Sequence, residues 1–509
     1  MHEVQVLRDN YKDSVRLLEA TRSMLAVAGI EYAWALMGTP ANLETLAGEG
    51  FENLDETSAN DLVLAVRSGD PESRVAALEL ANDILFAAVR SSGGDDAAPQ
   101  ATDLAGAMAQ QEGSNVAIIS VPGQYASLEA QKALSAGLDV LLFSDNVPLS
   151  DEIALKERAR DLGRLVMGPG AGTAMIAGTG LGFANRVKPG RVGIVAAAGT
   201  GAQEAMALLD RWGVGVSHVI GVGGRDLSTE VGGLMARAGI GALEADPGTD
   251  AILLVSKPPS PEVAESLLGQ APSKPMVAAL IGLREDLDGV HDDIKVCNTL
   301  EQGVVLSLER MGVEIPDRIG DTPEAVAELI TAIPQSRTRL VGLFSGGTLC
   351  YEAMTIATEH IGPIHSNTPL EKSWTVPAPD GAHVCLDLGE EEHTQGLPHP
   401  MIDPEARIEW MRKQIADPSV AVVLLDVVLG DGSHEDPASL LAPIAAEIIA
   451  SGATVVAYVL GTELDPQGFE YQRKTLRDAG CIVSETAARA ALAAAAIVNR
   501  DPALVHSDF

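Results

Sequence analysis

The chain has 509 residues, of which 46% are hydrophobic, and a formal net charge of -36 from 71 acidic and 35 basic side chains. Such a surface cannot neutralise phosphates over an extended area, which excludes nucleic acid and anionic membrane as partners. Any phosphate has to be held locally, by helix ends or single cations. The length leads us to expect about three domains or more, and aromatics at 3% leave the cores to Ala, Val, Leu and Ile.

Residues 1–100 read as a small N-terminal α/β domain. Glu3 to Leu7, Glu31 to Met37 and Asp61 to Val66 have strand character; helices are expected over Ser14 to Ala28, after Thr39-Pro40, and from Pro71 to about Val89. Ser91 to Gln100 (SSGGDDAAPQ) is the clearest linker. Residues 101–190 alternate strands (NVAIISVPG; DVLLFSD, 139–145; RLVMGPGAGT, 164–173) with helices, the pattern of a parallel sheet. No G-x-G-x-x-G follows the first of these strands, so the dinucleotide fingerprint is absent. Residues 191–335 carry strands at 192–196, 217–224, 250–259 and 274–282; residues 336–509 carry them at 340–344, 382–389, 420–430 and 453–462. The Ala-rich run AARAALAAAAIV reads as a terminal packing helix.

These last two spans open on the same pattern. AGTGAQEAM (198–206) and GGTLCYEAM (346–354) share Gly, Thr, Glu, Ala and Met at matching places, each between an apolar strand and a helix. A strand, a Gly-Thr turn and a helix start aim backbone N–H groups at an anion, so Gly199, Thr200, Gly201, Gly347, Thr348 and Leu349 are the candidate phosphate ligands. The helix dipole adds roughly 0.3–1 kcal/mol per site. The plainer alternative is a tight turn that starts a helix.

Further polar residues cluster after strands. GVGGRDLSTEVGG (221–233) holds Arg225, able to clamp a carboxylate or phosphate bidentately, and Asp226. Lys257 in VSKPP should point to the same sheet edge. LGEEEHTQGLPHPMIDP (388–404) places His399 between two prolines, which suits a fixed hydrogen-bonding or proton-transferring group. Glu390–Glu392 read as a solvated turn, and no H-x-x-x-H or H-E-x-x-H spacing points to metal. Cys297, Cys350, Cys385 and Cys481 form no CxxC or Cys/His spacing. With a polar opening segment and no apolar stretch near about 18 residues, a cytoplasmic setting is expected.

Taken together, VMGPGAGTAMIAG, AAGTGAQE, GGRDLSTEVGG, VSKPP, FSGGTL, LPHPMIDP and GTELDPQ, with YKDSVRLLEATRSML and MGTPANLETL near the start, resemble the FdrA family over essentially the whole chain. These proteins are relatives of succinyl-CoA synthetase. The resemblance implies a parallel-sheet, CoA-binding-like domain of Rossmann type (101–190) and two flavodoxin-like ligase domains (191–335 and 336–509). It also implies that the two Gly-Thr helix starts face one phosphoryl group. The Gly-His-Ala-Gly segment that carries the synthetase phosphohistidine is missing between Lys257 and Asp288, as are an ATP-grasp domain and the Gly-rich CoA loop. CoA is thus only a possible cofactor. The resemblance further implies an oxamate carbamoyltransferase in purine and allantoin breakdown, assembled with DUF1116-family and DUF2877-family subunits. It interconverts oxalurate plus phosphate with oxamate plus carbamoyl phosphate. In that setting Arg225 and His399 are the expected catalytic residues, with Asp226 and Lys257 lining the substrate. Many relatives carry Asp-Cys where Gly170-Ala171 stands and Ser where Ala198 stands. An acyl-CoA synthetase component and a non-catalytic scaffold remain as alternatives.

Overall fold

The computed structural model describes residues 2–12, 14–51, 54, 57–86, 101–283, 287–320, 322–394 and 397–509. They fall into two units, one within Met1–Gln100 and Glu390–His399, the other within Ala101–Gly389 and Pro400–Phe509. The linker read at 91–100 lies outside the described residues.

In the first unit, β1 (His2–Leu7), β2 (Tyr32–Met37) and β3 (Leu62–Arg67) form an antiparallel sheet ordered β1-β3-β2. Alternation along β3 sends Leu62, Leu64 and Val66 towards α1 (Ser14–Leu25) and α3 (Pro71–Phe86), and Val63 and Ala65 to a second cluster with Leu46 of α2 (Pro40–Gly48) and Phe51.

The second unit begins with a parallel sheet of β4 (Val116–Ile119), β5 (Asp139–Leu142) and β6 (Val166–Met167), with α4 (Leu104–Gln110), α5 (Gly123–Ser135) and α6 (Leu149–Leu162). The Gly-rich stretch after β6 then forms a hairpin, β7 (Thr173–Ile176) and β8 (Thr179–Gly182), which joins the next sheet. Its antiparallel pairing with β10 (Val216–Gly221) covers what would otherwise be an open edge. That sheet runs β13-β12-β11-β9-β10-β7-β8, where β9 is Pro189–Ala196, β11 Ala251–Ser256, β12 Met276–Leu280 and β13 Ile294–Cys297. Its helices are α7 (Gly199–Arg211), α8 (Leu234–Ala245), α9 (Pro261–Leu268) and α10 (Leu300–Arg310), with α11 (Thr322–Ala332) leading onward.

The last sheet runs β15-β16-β14-β17-β18-β19, with β14 at Arg339–Phe344, β15 at Ile364–His365, β16 at His383–Asp387, β17 at Val420–Val428, β18 at Thr454–Leu460 and β19 at Ile482–Ser484. The helices are α12 (Gly347–Ile361), α14 (Glu405–Ile415), α15 (Pro437–Ala450), α16 (Phe469–Asp478) and α17 (Ala487–Asn499); α13 (Glu391–Thr394) belongs to the first unit. Apart from the added β7, β8 and β15, both large sheets have the parallel order 2-1-3-4-5 of flavodoxin-like folds. The expected α/β architecture with duplicated parallel sheets is therefore the observed one. All nine residues of β17 are buried, as a strand covered on both faces requires. The Ala-rich α17 is central rather than peripheral: Ala487 to Ile497 are buried in an apolar cluster shared by both sheets, where alanine permits close helix approach.

Candidate functional site

The central strands β9 and β14 each run into a helix start, and the two starts are built alike. Neither α7 nor α12 is capped by the side chain of its own cap residue, Ala198 and Gly346 respectively. The first intrahelical bonds run from Ala202 N–H to the Ala198 carbonyl and from Cys350 N–H to the Gly346 carbonyl, both 2.9 Å. Thr200 and Thr348 therefore occupy equivalent second positions, and the preceding N–H groups of each helix lack intrahelical acceptors. The starts meet: Thr348 N–H donates to Thr200 Oγ1 at 3.2 Å. Glycine permits this approach, since a Cβ on Gly201 would stand 2.9 Å from Thr348 Cγ2, and one on Gly346 2.9 Å from Thr200 Cγ2.

The two starts differ in charge. A Cβ on Gly199 would find nothing nearer than Thr173 Oγ1 at 4.0 Å, and Gly199 is exposed. At the second start Asp426 accepts from Ser345 N–H at 2.8 Å and Gly346 N–H at 2.7 Å, and pairs with buried Arg407 at 2.9 Å. Asp387, at the end of β16, is buried with Oδ2 against the hydrogen side of Gly347; Asn367 clamps its backbone through two bonds of 2.8 and 3.0 Å. Lys257 does reach this edge, with Nζ 3.5 Å from where a Gly347 Cβ would lie. Of the six expected anion ligands, Gly199, Thr200 and Gly347 stay accessible. Gly201, Thr348 and Leu349 are buried, and the Thr348 N–H is taken by Thr200. Asp387 and Asp426 were not legible as site residues, because only the strand register brings them beneath the turn.

Two other expected site residues are engaged elsewhere. Asp226 is fully buried, and its oxygens are engaged by Lys156 at 2.8 Å and by the N–H groups of Met235 and Ala236 at 3.2 and 2.8 Å. It caps α8 from a distance. Arg225 is 45% exposed, but Nε pairs with buried Glu152 at 2.8 Å and Nη2 donates to the Val147 carbonyl at 2.8 Å. Both residues tie the first large sheet to α6; among the described residues no bond joins either to the Gly-Thr turns. The i,i+4 spacing of Glu152 and Lys156 was the available signal for this network. His399 is half-buried and lies in the 390–399 segment of the first unit. Glu390, Glu391 and Glu392 are exposed as expected.

The repeated glutamates have a role that the pattern alone did not disclose. Glu352 of α12 accepts from Leu300 N–H at the start of α10, at 2.6 Å, while Glu204 of α7 accepts from Ala487 N–H at the start of α17, at 3.4 Å. Each copy thus caps a helix of the other. Burial pushes Glu204 up to about 7, against the opposing Tyr458 hydroxyl and Arg211. Burial likewise pushes Glu352 up to about 8, against the Leu300 N–H and with Glu204 and Glu301 adding to the rise.

A family model described as a CoA-ligase matches residues 343–497, and one described as a CoA-binding domain matches 187–278, within the first large sheet. A third, described as the AllF heavy metal-associated domain, matches residues 1–101. That span holds no cysteine and one histidine, His2, and no described cluster of His, Cys, Asp or Glu is arranged to hold a metal; the donor set does not fit such an ion. A Cβ on Gly123, at the start of α5, would overlap the Asp145 carbonyl, so this glycine closes a packing contact. No helix among the described residues is long and apolar enough to cross a membrane. The uncharacterized protein YahF of Escherichia coli is 36% identical over 97% of this chain and 98% of its own. The succinate–CoA ligase [ADP-forming] subunit alpha 2 of Archaeoglobus fulgidus is 29% identical over 43% of this chain and 77% of its own. The ADP-forming sulfoacetate-CoA ligase subunit SauD of Bilophila wadsworthia is 31% identical over 33% and 60%.

Proposed function

The chain belongs to the family of YahF, a succinyl-CoA-ligase-like family with CoA-ligase and CoA-binding domains, and from that premise we propose that it is a carbamoyltransferase component of the FdrA kind. The observation that carries this reading is the meeting of two helix starts beside one lysine. Phosphate, or the phosphate of carbamoyl phosphate, is held by the N–H groups of Gly199, Thr200 and Gly347 with Lys257 alongside. An acceptor amide nitrogen attacks the carbamoyl carbon, the carbon–oxygen bond to phosphate breaks, and the nitrogen proton leaves with the phosphate. Transfer of this kind depends on positioning and charge stabilisation and needs no covalent nucleophile. The AllF-type N-terminal match supports a setting in allantoin breakdown. Lys257, rather than the engaged Arg225, is the cation assigned to the acceptor carboxylate. The test is phosphorolysis of oxalurate by the chain together with its DUF1116- and DUF2877-family subunits, followed as carbamoyl phosphate formation. Absence of product from the complete assembly refutes the reading.

The CoA-ligase and CoA-binding matches favour a second reading, an acyl-CoA synthetase component. CoA-dependent ATP hydrolysis with an ATP-grasp partner would select it.

A further inference from the structure

Glu204 and Glu352 follow Thr200 and Thr348 by one helical turn, on the same faces of α7 and α12 as the two threonines. Both are buried, and each crosses to the other copy to cap α17 or α10. The two acids thus sit in the seam that is closed where Thr348 N–H meets Thr200. Counter-charge in this seam goes to a third acid. Glu301 of α10 pairs with Arg489 of α17 at 2.7 Å and with Arg318 at 3.1 Å, and accepts from the Thr486 hydroxyl at 2.6 Å. Glu204 faces the Tyr458 hydroxyl of β18, to which Arg211 donates at 3.2 Å, while Arg211 pairs with Glu485 at 3.5 Å. Glu352 faces the Cys297 thiol of β13 as well as Glu204 and Glu301. Its Oε1 accepts from Leu300 N–H, and its Oε2 meets no hydrogen-bond donor among the described residues. Ionised, Glu352 would hold a bare oxygen beside two other carboxylates; as a neutral acid it keeps the Oε1 bond and removes the repulsion.

We propose that Glu204 and Glu352 are positioning residues for the anion site, and that proton loss from this pair parts the two helix starts and weakens anion binding. The inference rests on the reading of those starts as a phosphate site. Burial in the closed seam raises the two acids to about 7 and about 8, and water entering an opened seam would return them towards the ordinary 4.5. A raised value in the closed state means that bound protons favour closure. That contribution is fully present below about pH 4.5 and is lost as pH rises through 7 to 8.

Inorganic phosphate changes charge in this window, so sulfate, a tetrahedral dianion throughout, is the probe. Calorimetric titration of the full chain should show sulfate binding about tenfold more weakly at about pH 8.5 than at about pH 5.5, within the usual range of coupling between sites. Glu352→Gln reproduces the neutral acid, with one acceptor and one donor. It should bind sulfate equally at both pH values, and Glu204→Gln should flatten part of the same slope. A merely structural role would leave the wild-type slope in place in both variants. A flat wild-type profile, or a slope that survives both substitutions, overturns the proposal. Amide exchange at Thr348 in the free protein, corrected for the intrinsic effect of pH, separates the two claims. If no variant binds sulfate at either pH, the reading of the helix starts falls. Thr348 protection that drops with pH in the wild type and not in Glu352→Gln then keeps the pair as a proton-operated tie between the starts. Equal protection in both proteins removes the tie as well.

Discussion

Gly199 and Gly347 hold the same place in the repeat and differ in what a side chain would meet. Space beside Gly199 is open, whereas a side chain at Gly347 would overlap Asp387. Gly199→Val should therefore obstruct a bound anion without disturbing the fold, raising the phosphate Kd by about tenfold or more at an unchanged melting temperature. Calorimetry beside a thermal melt checks both halves. Glu204 and Glu352 make a prediction about pH. An unfolded glutamate titrates near 4.5, while these two are pushed up to about 7 and about 8 by burial. The folded chain thus holds extra protons between those values. The contribution is fully present below about pH 4.5 and is lost as pH rises through 7 to 8. Stability should fall over that window by an amount on the order of a few kcal/mol. Glu352→Gln should flatten most of the slope, as urea midpoints at three pH values would show.

At the scale of elements, the contact between helix starts and the ties between sheets can be tested separately. Thr200→Val removes the acceptor of the Thr348 N–H and should cost about 1 kcal/mol, as loss of a helix cap does, while Thr200→Ser should be nearly neutral. Chemical denaturation of the two variants decides it. Lys156 is fully buried between Glu152 and Asp226. Lys156→Met strands two carboxylates and should destabilise by about 3–5 kcal/mol, whereas Arg225→Ala, at a half-exposed partner of the same network, should cost under about 1 kcal/mol. Strand and helix existence was legible here because apolar runs and Gly-Thr turns are local signals. The destination of β7 and β8 was not. Which sheet edge a Gly-rich hairpin completes depends on a partner strand, β10, that lies later in the chain.

For the whole molecule, a net charge of -36 makes any phosphate site a local exception to a repelling surface. Phosphate affinity should accordingly fall with added salt less steeply than that of a protein with an extended basic face, provided the anion is held by backbone N–H groups. No histidine should carry phosphate during turnover. His218, His291, His383 and His434 each accept a backbone N–H on Nδ1, which fixes the ring, and none of the ten histidines stands in the Gly-flanked loop of the synthetase relay. Acid-labile, base-stable label on the chain after incubation with labelled ATP would refute this. The duplication, the two parallel sheets and the helix starts were determined by sequence alone, because hydrophobic period and turn chemistry act over a few residues. Tertiary structure decided which polar groups face the site. Asp226 and Arg225 follow a strand just as Lys257 does, yet α6 supplies their counter-charges and draws both into a structural network. Asp387 and Asp426 reach the second Gly-Thr turn because parallel pairing sets the ends of β16 and β17 beside β14. Charge complementarity between distant elements made that selection, and the i,i+4 pair Glu152–Lys156 was its one local trace.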